Sequence, residues 1–170
     1  VAAWVAADGM RAAMSQQTGF TLIELMVTLT ILAVLASVAL PLSQIAATRN
    51  REEDLRRALW QIREGIDNYK KASDEGRVRK NLDDSGYPPT LEALVEGVKD
   101  SKDPAGKNIY FMRRIPRDPF CDCPTLSNAE TWGKRNYASP PDSPEEGTDV
   151  FDVYSKSGGT GLNGVPYREW

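Results

Sequence analysis

Chemistry in this chain must come from carboxylates, hydroxyls and two cysteines, because histidine is absent. That removes the commonest general base and the commonest transition-metal ligand. The most unusual carboxylate is Glu24, in "TGFTLIELMVTLTILAVLASVALPL" (residues 18–42). It precedes 18 consecutive uncharged residues, Leu25 to Leu42. An unpaired carboxylate beside hydrocarbon costs several kcal/mol or becomes protonated. The second candidate is "CDC", Cys121 and Cys123. Their spacing disfavours an ordinary disulfide. Three readings stand for the pair: a strained intrachain bond, free thiols or a soft-metal half-site, and cross-links between subunits. No third and fourth ligand is visible for a metal. "GGTGLNG" (158–164) has the glycines of a nucleotide loop but not its lysine–serine end, and no helix follows it. Asp83 and Asp84 read as a solvated loop, since two-carboxylate glycoside chemistry needs a cleft that so small a domain hardly provides. No nucleophilic triad or haem motif is present, so an enzyme is not expected.

The elements that position these residues are few. The chain has 170 residues and a mass of 18.8 kDa, enough for one modest domain. Its 24 acidic and 21 basic residues are intermixed, with a net charge of -3. No basic field exists to attract nucleic acid. As a helix, Phe20 to Leu42 spans roughly 35 Å, enough to cross a bilayer core. The segment has three readings: a secretory signal cleaved near "SVA" (37–39), a plain signal anchor, or a processed anchor. Positive charge should precede a secretory signal, yet only Arg11 is nearby and Glu24 intrudes. The chain begins with Val1, and Met10 or Met14 is the expected start of translation.

Residues 20 to about 75 read as one long helix interrupted only at Pro41. Proline removes a hydrogen bond and clashes with the preceding turn, so a kink or short unwound stretch is expected there. The alternative is a helix end followed by a fresh helix. Beyond Asn50, Leu55, Leu59, Ile62, Ile66 and Tyr69 recur at helical spacing and form one apolar stripe. Trp60 falls off that stripe. Glu53 and Arg57 are spaced for an i,i+4 ion pair. "SDEGRVRKNLDDSGYPP" (73–89) ends the helix, and Thr90 caps a short helix through Val95 that Gly97 closes. "NIYFMRR" (108–114) fits helix or strand. "RNYASP" and "VFDVYSKS" read as short strands placing Tyr137, Val150 and Tyr154 in a small antiparallel sheet. From residue 158 a glycine-rich loop takes over.

The run "G-FTLIELMVTLTILAVLASVALP" resembles the class III signal of type IV pilins and type II secretion pseudopilins. Further matches follow in family order. "SGYPPTLEALVEG" (85–97), "IPRDPF" (115–120) and "GTDVFDVYSKSGGTGLNG" (147–164) resemble stretches of the major pseudopilins. The resemblance implies a pilin-like α+β fold, in which a long N-terminal helix with a transmembrane half and a kink near Pro41 packs on a small antiparallel sheet. It implies a leader (1–19), a transmembrane and assembly helix (20–42), and an amphipathic helix with a globular head (43–170). Prepilin peptidase would cut between Gly19 and Phe20 and methylate Phe20. Glu24 would then pair with the N-terminal amine of a neighbouring subunit. Burying two charges is favourable only with good geometry, so such a pair sets the axial register. Phe20, Glu24 and Pro41 are the implied assembly residues.

The resemblance also raises Ca²⁺, which the family's major pseudopilins hold in the loop after the last strands. Here Gly159 and Thr160 stand where the family has Asp-Gly. Asp149, Asp152, Ser157 and Asn163 are the candidate ligands that remain, with Glu169 nearby and Lys156 of the wrong sign. The alternative is a loop held by packing of Val165, Tyr167 and Trp170. Apart from this ion no cofactor is expected. The implied protein is a single-pass subunit of the bacterial inner membrane with its head in the periplasm. It polymerises with itself into a type II secretion pseudopilus. Its implied partners are prepilin peptidase, minor pseudopilins, and an inner-membrane assembly platform with its ATPase. The rival within the family is a surface type IV pilin; the rival outside it is a non-polymerising, signal-anchored binding domain.

Overall fold

The computed structural model describes residues 19–170. The leader up to Thr18, with Met10, Arg11 and Met14, lies outside the described residues. Two compact units are formed, one ending at Ser43 and one comprising Gln44–Trp170.

Helix α1 runs Leu22–Asp74 as one unbroken element, so Pro41 neither ends it nor separates two helices. Its start is set by Thr21, whose Oγ1 accepts the Glu24 N–H at 3.2 Å. This is the first half of a Thr-x-x-Glu capping box. Glu24, in the first turn, also complements the helix dipole. In the apolar segment, the hydroxyls of Thr28, Thr30 and Ser37 fold back onto the carbonyls of Leu25, Met26 and Val34, at 2.9, 2.7 and 2.7 Å. Internal satisfaction of this kind is what a helix in hydrocarbon requires. The segment is long and apolar enough to cross a membrane, and none of its most apolar window is buried inside the protein.

In the second unit the predicted stripe faces inward. Leu55, Leu59, Ile62, Ile66 and Tyr69 are all buried, with Ala58 and Ala72 beside them. They share a core with Leu91, Leu94, Ile115, Trp132, Val150, Val153 and Tyr167. Trp60 is 64% exposed. Trp60→Ala is therefore expected to change folding stability by less than about 0.5 kcal/mol. Ile62→Ala, at a fully buried site, should cost about 2–5 kcal/mol. Urea unfolding of the two variants, compared with wild type, checks the contrast.

The surface pairing differs from expectation. Arg57 bonds Asp54 at 2.6 Å instead of Glu53. Both partners are exposed, so the choice between adjacent carboxylates is worth little. Helix α1 ends in a Schellman arrangement. Gly76 N–H donates to Ser73 O and Arg77 N–H to Ala72 O, both at 2.9 Å. The positive φ of Gly76, 72°, makes that reversal possible.

Helix α2 is one turn, Ala93–Glu96, closed by Gly97. Thr90 Oγ1 accepts the Ala93 N–H at 3.4 Å, a long contact in the expected place. Strands β1 (Val98–Lys99) and β2 (Asn108–Ile109) pair antiparallel, with Val98 opposite Ile109. Strands β3 (Trp132–Arg135) and β4 (Asp152–Ser155) form a second antiparallel pair, with Trp132 opposite Ser155 and Arg135 opposite Asp152. The head thus carries two small two-stranded sheets. The strand expected at "RNYASP" lies earlier, so Tyr137 falls outside the sheet. Its ring instead stacks on Tyr87 at 5.6 Å and meets the edge of Phe151 at 5.5 Å. Val150 precedes β4 and is tied by its N–H to Pro88 O at 2.8 Å.

Candidate functional site

Three places carry the residues singled out by sequence. The first is the start of α1. Gly19 is exposed and precedes the helix, and Phe20 is 84% exposed. Glu24 is exposed one turn into the helix. Its backbone N–H is engaged with Thr21; among the described residues its carboxylate takes no partner.

The second place is the C-terminal part of the head. Each of the four candidate calcium ligands is already engaged by donors within the head. Asp152 is held by two arginines, Arg63 Nε on Oδ1 at 2.8 Å and Arg135 Nη2 on Oδ2 at 3.3 Å. Asp149 accepts the Tyr137 N–H at 2.9 Å and a short bond from Ser85 Oγ. Asn163 Oδ1 accepts the Val165 N–H at 3.0 Å, and Ser157 Oγ accepts the Gly159 N–H at 3.2 Å. Calcium needs six to eight oxygens and surplus negative charge. The arginines cancel the charge of Asp152, and the other candidates accept backbone N–H groups or, for Asp149, also the Ser85 hydroxyl. These residues do not fit a calcium cage. Among the described residues no three His, Cys, Asp or Glu side chains gather as a metal-holding group.

The loop's aromatic residues are docked. Tyr167 is buried, stacks on Phe120 at 4.1 Å and meets Trp170 edge-on at 5.2 Å. Arg56 lies over the Trp170 ring at 4.5 Å. Val165 stays partly exposed. Burial, then the Glu52 hydrogen bond and charge, raise the Tyr167 phenol above its ordinary 10.0. Burial also raises Tyr69, with Asp84 adding to it, and Tyr87. A raised folded value means the stability tied to the neutral phenols is whole below about pH 10. It is lost as pH rises through the raised values. Absorbance titration should therefore show a late-ionising set of tyrosines whose titration coincides with loss of the folded head.

The third place is Cys121 and Cys123, which are joined by a disulfide. Arg117 clamps this tight loop, donating to Cys123 O and, at 2.9 Å, to Leu126 O.

Sequence reasoning passed over three polar residues that hold the head together. Glu52 is buried on α1. Arg63 bonds Val153 O at 3.2 Å and Trp170 O at 2.7 Å besides Asp152. Asp118, 1% exposed, accepts Ser155 Oγ at 2.6 Å and the Phe120 N–H at 2.8 Å. A signal for Glu52 was available: it lies three residues before Leu55, in phase with the buried stripe.

Comparison with known proteins agrees with this geometry. A family described as "Prokaryotic N-terminal methylation motif" matches residues 14–40. The type II secretion system core protein G of Vibrio cholerae serotype O1 is 32% identical over 168 residues, covering 92% of this chain and 94% of that protein. The protein of the same name from Klebsiella pneumoniae is 32% identical over 145 residues, covering 81% of this chain and 94% of the relative. That from Dickeya chrysanthemi is 34% identical over 113 residues, covering 62% of this chain and 64% of the relative. No solved structure matches the chain. An exposed apolar helix with one unpartnered carboxylate at its start, a small α+β head and identity along almost the whole length lead to one assignment: the chain belongs to the type II secretion system core protein G family, the major pseudopilins, which are structural subunits and not enzymes.

Proposed function

We propose that this subunit is cut by prepilin peptidase between Gly19 and Phe20, methylated on Phe20, and drawn into a pseudopilus by pairing of Glu24 with the Phe20 amine of a neighbouring copy. One observation carries the reading: Glu24 presents a carboxylate without a partner at the start of an exposed apolar helix. Cleavage creates an α-ammonium four residues away in sequence. Two such charges stabilise a contact in hydrocarbon only when they meet, so a subunit at the wrong axial step leaves both uncompensated. A like-with-like contact of this type is heterologous and open, which yields a filament. The subunit sits in the inner membrane with its head facing the periplasm, as a part of the type II secretion machinery. Its further partners are the minor pseudopilins and the inner-membrane platform with the ATPase that drives assembly.

Deletion of the gene should leave exported proteins in the periplasm, and the wild-type chain should restore their release. Intact secretion together with loss of surface fibres would instead identify a surface type IV pilin.

A further inference from the structure

We propose that the C-terminal loop of this head, residues 156–167, is closed by the carboxylate of Glu52 and not by a metal ion. The starting observation is a buried acid with distant partners. Glu52 is 4% exposed and lies on α1, three residues before the core begins at Leu55. Its Oε1 accepts the Leu162 N–H at 2.6 Å and the Tyr167 O–H at 3.2 Å, partners 110 and 115 residues away. A carboxylate leaves water at this cost only when N–H and O–H donors replace its hydration.

The loop itself provides no charge for a cation. From Val153 to Arg168 the sequence holds no aspartate or glutamate. Its remaining ties are internal. Gly161 N–H bonds Val165 O at 2.9 Å, Gly164 N–H bonds Gly161 O at 2.9 Å, and Tyr167 N–H bonds Gly159 O at 3.1 Å. Thr160 and Pro166 form an antiparallel bridge across the loop. Three of the loop's carbonyl oxygens, those of Gly159, Gly161 and Val165, are thus already occupied by N–H groups and are not free for the oxygen cage a calcium ion needs. Gly161 lies close against both Trp170 and Glu52. A Cβ there would lie 2.5 Å from the Trp170 ring, 2.7 Å from Asn163 Oδ1 and 3.3 Å from Glu52 Oε1. The glycine lets the backbone approach the carboxylate, and Trp170 seals the outside.

Glu52 thereby ties the head's own stretch of α1 to the C-terminal loop, whichever fibre the chain builds. The geometry makes the folded loop independent of divalent cations.

Amide hydrogen exchange on the full chain in detergent, in CaCl₂ and in EGTA, tests this. The Leu162 amide should be protected equally in both. In Glu52→Ala it should exchange roughly 10- to 100-fold faster, the range expected for loss of a charge-assisted bond. Glu52→Gln, which keeps an acceptor oxygen and most of the shape, should fall between. It serves as the test if the alanine variant does not fold. Faster Leu162 exchange in EGTA, stoichiometric Ca²⁺ binding by calorimetry, or a Leu162 amide as protected in Glu52→Gln as in wild type would overturn the proposal.

Discussion

Replacing Glu24 by alanine should leave the subunit in the membrane and stop it polymerising. Alanine is more compatible with hydrocarbon than glutamate, so insertion does not suffer. The helix start also survives. The capping bond is made by the backbone N–H of residue 24 to Thr21 Oγ1, and alanine keeps that N–H. What disappears is the carboxylate that the proposed pairing with a neighbouring Phe20 amine requires. Removing one member of a buried ion pair costs about 3–5 kcal/mol, which is roughly 100- to 5,000-fold in the association constant for each contact. A fibre repeats that loss at each subunit. Pseudopili sheared from overproducing cells and counted by electron microscopy supply the measurement. Thr21→Ala is the control. It removes the cap at a cost of about 0.5–2 kcal/mol but leaves the carboxylate, so fibres should persist. Normal fibres from Glu24→Ala would refute the pairing.

The second large effect lies in the head. Trp132 is fully buried at the start of β3, and its indole N–H donates to Pro116 O at 2.8 Å. It packs in the cluster shared by α1, the Leu91–Leu94 turn and β4. Trp132→Ala removes a large ring and also leaves the Pro116 carbonyl without its donor. About 3–5 kcal/mol should be lost to the cavity, with more for the unsatisfied carbonyl. Against a total stability of about 5–15 kcal/mol, this removes a large share of the head's stability and sharply raises its unfolded fraction near 37 °C. Limited proteolysis should then degrade the head while the membrane segment remains. A head that resists protease as wild type does would show that the core is not centred on Trp132.

Sequence singled out the residue behind the first effect, Glu24, but not the residue behind the second, Trp132. The α1 stripe was legible because helical periodicity repeats over four turns, and every stripe residue is buried. The apolar segment and Glu24 were legible because one carboxylate stands out against a uniform background. The strands were less so. Each has two or four residues, too few for alternation to fix a boundary, and β3 lies before the stretch where it was expected. The polar residues of the core were least visible. Glu52 sits in "NREEDLRR", where each charge looks solvated; only its phase with Leu55 sets it apart. Asp118 finds Ser155 across 37 residues, and no local pattern encodes such a partner. The lack of acidic residues in the C-terminal loop was legible in the sequence. The arginines that neutralise Asp152 come from residues 63 and 135, which are remote in sequence.

The central claim is that this chain becomes a fibre subunit by processing at Gly19. Mass spectrometry of the N-terminal peptide of the protein extracted from membranes tests it most directly. The account predicts a chain beginning at Phe20 with an N-methylated amine. An uncut leader, or a chain beginning at Leu40 after cleavage behind Ala39, would contradict it.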